Sequence, residues 1–97
     1  MADIWISGPV TGHADLNRPA FEAARVRLSC LGNVTIPHDI VPRDAEHDVA
    51  MRICINHIGF RADAIVMLPG WRGSKGACME RDFAETMCGI PVLEVVA

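Results

Sequence analysis

The chain has 97 residues, of which 51% are hydrophobic and 22% charged, the balance of a single packed domain with a modest core. A formal net charge of −3 and a pI near 5.7, with no basic run, argue against a protein that grips a nucleic-acid polymer by its phosphates. Cys30, Cys54, Cys78 and Cys88 form no CxxC pair of the zinc or redox type, so buried free thiols in a reducing cytosol are expected.

The amino-terminal stretch has neither a charged n-region nor a long apolar run, so no signal peptide is expected. No segment approaches the apolar length of a membrane span. The expected setting is cytoplasmic.

In chain order, Ile4 to Ser7 reads as a short inner strand of a parallel sheet. The loop GPVTGHADLN follows, longer than a plain strand-to-helix connection requires. A helix is expected from about Pro19 to Leu31, with Ala20, Phe21, Ala24, Leu28 and Leu31 on its inner face. Val34 to Ile36 gives a second strand, and Pro37 to Glu46 an irregular polar loop. His38 with Asp39 lies there, after the second strand and near the ligand edge of the sheet.

The next helix, about His47 to Phe60, is apolar on two sides. Val49, Ile53 and Phe60 fall on one, and Met51, Cys54, Ile55 and Ile58 on much of the other. In a small domain this suggests a homo-oligomer with the helix around Met51 to Ile58 in the interface. No pair of histidines shares a face with a carboxylate, so neither a metal nor another cofactor is expected.

Ala64 to Leu68 reads as a third strand, followed by a turn containing Trp71 and a helix opening near Ser74. Plotted at roughly 100° per residue, Gly76 to Cys88 puts Met79, Phe83, Ala84, Met87 and Cys88 on one half. Glu80 falls in the middle of that apolar half. A carboxylate aimed into packing must be paired, hydrogen-bonded or open on a cavity. The residues one turn before it are Gly76 and Ala77, which leave room for the carboxylate and for a ligand beside it. Asp63, at the start of the third strand, sits at the opposite edge and suits a local bonding role. Ile90 to Val95 supplies a last strand.

The order βαβαβαβ, in one domain spanning 1–97, predicts a small α/β, doubly wound, flavodoxin- or Rossmann-like fold. Its four-stranded parallel sheet would run 2-1-3-4 with three helices. The loops after the first and third strands then flank the switch point of the sheet.

WISGPVTG, LNRPAF, DAIVMLPGW, SKGACME and IPV together resemble the short proteins, common in phages and prophages, related to nucleoside 2-deoxyribosyltransferases. The resemblance implies an N-glycosidase or transferase acting on a deoxynucleoside or its 5'-monophosphate. Glu80 would be the nucleophile, in a Ser-x-Gly-x-x-x-Glu spacing matched by Ser74, Gly76 and Glu80. Ser74 would help hold the phosphate, Ser7, Gly8 and Thr11 would line the pocket, and Trp71 would stack on a base or wall off solvent. Where those relatives carry a tyrosine in the first strand this chain has Trp5, and where they carry a helical aspartate it has Ile55. The alternatives are a non-catalytic nucleotide-binding or nucleotide-sequestering protein that keeps the pocket, or an interaction protein with a vestigial one.

Overall fold

The computed structural model describes residues 2–95. Its sheet has four parallel strands, β1 (Asp3–Ser7), β2 (Asn33–Thr35), β3 (Ala64–Met67) and β4 (Val92–Glu94), in the order β2-β1-β3-β4. Trp5 is paired with Thr35 on one side and Ile65 on the other, and Met67 with Glu94 at the outer edge. This is the 2-1-3-4 arrangement expected from right-handed crossovers.

Alternation along the strands divides the core between the two faces of the sheet. Ile6 and Leu68 pack with Phe21 and Ala24 of α1 (Arg18–Leu28) and with Ile36. Trp5, Ile65 and Met67 face the other way. They meet Cys54 and Ile58 of α3 (His47–Arg61), Ala77 of α4 (Lys75–Asp82), and Ala84 in the stretch that continues α4. The starts of β1 and β3 are tied by Asp63, whose Oδ2 accepts from the Asp3 N–H at 2.8 Å, the local bonding role its position suggested.

Several elements differ from the sequence expectation. Pro37 to Ile40, expected as part of an irregular loop, forms the short helix α2. Pro37 sets the first helical φ, and the Asp39 carboxylate accepts the Ile36 N–H at 3.0 Å. Ala20 is exposed and Leu31 lies beyond the end of α1, 61% exposed, so the inner face of α1 is narrower than its apolar residues suggest. After Asp82 the helix widens into a π-type stretch, Phe83–Cys88. The widening turns later side chains away from positions plotted at 100° per residue, and Met87 points to solvent. Met79 is also exposed, because the buried stripe is Ala77, Glu80 and Ala84, spaced three and four apart.

On α3, Cys54 and Ile58 are buried while Val49 and Phe60 are exposed. The side of α3 left open is therefore the Val49 and Phe60 side, and the Met51 to Ile58 side faces the core and the adjoining cleft. All four cysteines are free, but Cys54 alone is buried and Cys30 is exposed. Among the described residues no helix is long and apolar enough to cross a membrane.

Candidate functional site

Parallel strands bring the segments after β1, β2 and β3 to one edge of the sheet, where α/β folds place ligands. There they enclose a cleft of about 400 Å³, within the range of small-molecule sites. Gly8, Thr11 and Leu16 contribute from the β1–α1 loop, and Arg18 from the first position of α1. His38 and Arg43 come from α2 and the segment after it, His47, Met51 and Cys54 from α3, and Ser74, Gly76, Ala77 and Glu80 from the start of α4.

Glu80 is 6% exposed. Its Oε1 accepts a hydrogen bond from Trp5 Nε1 at 2.8 Å, across the core between α4 and β1. Trp5 is itself fully buried, so the indole is held by packing and its N–H has one direction open to it. The His57 ring lies against the indole, 5.1 Å between centroids. Burial pushes the Glu80 carboxyl above its ordinary value, and the Trp5 N–H and the Ser7 hydroxyl pull against that by favouring the charged form. Ser7 Oγ lies beside the carboxylate but short of full hydrogen-bond geometry, and is otherwise a buried oxygen without a partner among the described residues. Cys54 feels the same surroundings. Burial pushes its thiol up, and the charge of Glu80 adds to the effect, which makes it a packing group and not a thiolate nucleophile.

Gly8 and Gly76 allow close approaches. A Cβ at Gly8 would lie 2.8 Å from Leu68 Cβ, so the strand-end backbone could not stay where it is with any side chain there. A Cβ at Gly76 would lie 3.0 Å from Met51 Sδ. The space that Gly76 leaves is thus partly filled by Met51, and both residues line the cleft.

Ser74 caps α4. Its Oγ accepts the Ala77 N–H at 3.2 Å, and the residue also lines the cleft. Capping uses an oxygen lone pair and leaves the hydroxyl hydrogen for a ligand.

His38 Nε2 donates to the Leu16 carbonyl at 2.8 Å. Since a carbonyl only accepts, this nitrogen carries the hydrogen, and Nδ1 is left buried without a partner among the described residues. Asp39, its neighbour, turns away to Arg25 in a two-pronged pair of 2.8 and 2.7 Å. Burial acts to raise the Asp39 carboxyl, but the Arg25 guanidinium and the Ile36 N–H together hold it below its ordinary value.

The structure thus gathers Gly8, Thr11, Ser74, Gly76 and Glu80 at one cleft, with Ser7 just behind the carboxylate. Trp71 is placed elsewhere. Its Nε1 donates to Glu94 Oε1 at 2.8 Å, and the Arg72 and Arg81 guanidinium groups lie 4.5 and 5.1 Å from its ring. Sequence reasoning did not single out Arg18, Arg43, Met51 or Cys54 as cleft residues, and it treated Trp5 as a departure, not as a donor. Among the described residues no three His, Cys, Asp or Glu side chains are grouped to hold a metal ion.

A family model described as a domain of unknown function, DUF4406, matches residues 2–94. The chain belongs to the DUF4406 family. No curated protein and no solved structure matches it. The match takes in every residue of the DUF4406 cleft named above.

Proposed function

We propose that this DUF4406 protein is an N-glycosidase of the deoxyribosyltransferase type, acting on a deoxynucleoside or its 5'-monophosphate through Glu80. The observation that carries the reading is the buried Glu80 carboxylate on the wall of the cleft, with Oε1 fixed by the Trp5 N–H. Trp5 occupies the position where the resembling enzymes have a tyrosine, and it supplies a donor there.

With one oxygen fixed, the other is left to approach C1' of a deoxyribose lying in the cleft. Departure of the base builds positive charge on the sugar. A carboxylate kept out of water by its surroundings interacts with such a charge more strongly than an exposed one does. Attack by Glu80 forms a bond to C1' as the bond to the base breaks, and the base takes the electron pair. Water, or a second base, then displaces Glu80 from the glycosyl intermediate.

A second reading is a nucleotide-binding protein without turnover, and one observation favours it. Glu80 is the one carboxylate among the residues lining the cleft, and Ile55 stands where the resembling enzymes have an acid. Release of free base from a panel of deoxynucleosides and their monophosphates, lost in Glu80→Gln, supports the first reading. Binding with no release selects the second.

We also propose self-association through the open side of α3, which carries Val49 near one end and Phe60, 83% exposed, near the other. Sedimentation of the wild type and of Phe60→Glu tests this, and a wild type that stays monomeric at micromolar concentration overturns it.

A further inference from the structure

At the mouth of the cleft three consecutive non-glycine residues, Asp15, Leu16 and Asn17, have φ of 50°, 53° and 58°. Asp and Asn tolerate the left-handed region, but Leu does not do so readily. The strain persists because the segment is tied down from outside. The Asp15 carboxylate is held by Arg43 at 2.9 Å, the Leu16 carbonyl by His38 at 2.8 Å, and Asn17 Nδ2 donates to the Pro9 carbonyl at 2.8 Å.

These ties are unequal. The pair of Arg43 and Asp15 is well exposed on both sides, and such pairs are weak and readily exchanged in water. Arg43 and Leu16 both line the cleft, together with Arg18 and His47, and both arginines are exposed while the carboxylate of the cleft, Glu80, is buried. An anion entering from solvent therefore meets the exposed arginines first, Arg43 paired with Asp15 and Arg18 more loosely, at 3.4 Å, with Glu22.

We propose that the cleft mouth is an anion site in which a phosphoryl group takes Arg43 from Asp15 and, in doing so, releases the strained Asp15 to Asn17 segment. A phosphate carries more charge than a carboxylate and offers three acceptor oxygens to the guanidinium fork, so it is the favoured partner in the exchange. Asp15 acts as a resident competitor, and its departure removes one of the ties that hold the left-handed residues. The exchange does not depend on the cleft's ligand being a nucleotide.

The test uses the full chain with inorganic phosphate as the probe, titrated against chloride at matched ionic strength. Amide hydrogen exchange is followed at residues 15–17, and phosphate affinity is measured by calorimetry. Phosphate is expected to speed exchange of these amides in the wild type by up to about fivefold, the size of an exposed ion pair. Asp15→Asn exchanges fast without phosphate and binds phosphate more tightly than the wild type. Arg43→Gln exchanges fast throughout and loses the phosphate response. Unchanged or slowed exchange in wild type with phosphate, a response that survives in Arg43→Gln, or phosphate binding not strengthened in Asp15→Asn each overturns the proposal. Failure of nucleotides to bind or turn over leaves these results standing and counts only against the glycosidase reading.

Discussion

Trp5 and Glu80 are 75 positions apart in the chain and joined by a 2.8 Å hydrogen bond in a buried setting. The bond links the middle of the sheet to the first turns of α4 and fixes one oxygen of the carboxylate on which the functional reading depends.

Removing the donor also removes part of a fully buried ring, so the bond is isolated by a double-mutant cycle. Trp5→Phe leaves Oε1 of Glu80 without its partner in a dry environment, a loss of about 1–3 kcal/mol. Paired with Glu80→Leu, which has no acceptor for the indole N–H, in a double-mutant cycle read by urea unfolding, the two positions should show a coupling of about 0.5–3 kcal/mol. Additive effects would mean that the bond contributes nothing to stability.

The carboxyl of Glu80 titrates above its ordinary value because it is buried. The folded state therefore binds this proton more tightly than the unfolded chain does. Its contribution to stability is fully present below the unfolded-state value and is lost as pH rises through the higher folded-state value. Glu80→Gln cannot titrate and keeps an oxygen for the Trp5 N–H. Urea midpoints measured from pH 4 to pH 8 should show the variant gaining on the wild type as pH rises. A difference that is flat, or that shrinks with pH, would show that the carboxyl is not raised.

Capping and ligand contact at Ser74 separate on substitution. Ser74→Ala should cost about 1 kcal/mol through loss of the cap to Ala77, and Ser74→Asp should restore most of it. If the hydroxyl also donates to the ligand, Ser74→Asp recovers stability without recovering affinity for a deoxynucleoside monophosphate. Recovery of both would confine Ser74 to capping.

Gly76 keeps α4 close to α3 at Met51. Gly76→Val should displace Met51 towards the open part of the cleft and reduce ligand affinity by about tenfold or more, a change of about 1.4 kcal/mol. The stability change should stay within about 2 kcal/mol, since the atom that must move belongs to a flexible side chain. Calorimetry with unfolding in parallel distinguishes a filled cleft from a broken fold.

The sheet order and most element positions were legible in the sequence because short apolar strands alternate with helical segments and crossovers have one hand. Glu80 was legible too, since it falls amid Met79, Phe83, Ala84, Met87 and Cys88 on the wheel, although the stripe that buries it is Ala77, Glu80 and Ala84. Met87 was misplaced because the wheel assumes a regular helix and α4 widens after Asp82, and Met79 because the buried stripe is narrower than the apolar half of the wheel. The roles of Arg18 and Arg43 were not legible, as exposed arginines carry no periodic signal and only the folded loops bring them to one mouth. Trp5 reads from sequence as one more apolar strand residue. Its N–H acquires meaning only once α4 is packed across it. The left-handed run at Asp15 to Asn17 had no glycine to announce it, and is set by contacts to Pro9, His38 and Arg43.

The most direct test of the account is a paired measurement on one panel of deoxynucleosides and deoxynucleoside 5'-monophosphates, with binding by calorimetry and free base assayed in the same samples. The account predicts at least one ligand that both forms bind with similar affinity, with base released by the wild type and release reduced by about 10⁴-fold or more in Glu80→Gln. Base release that persists in Glu80→Gln, or a cleft that binds none of the panel, would contradict it.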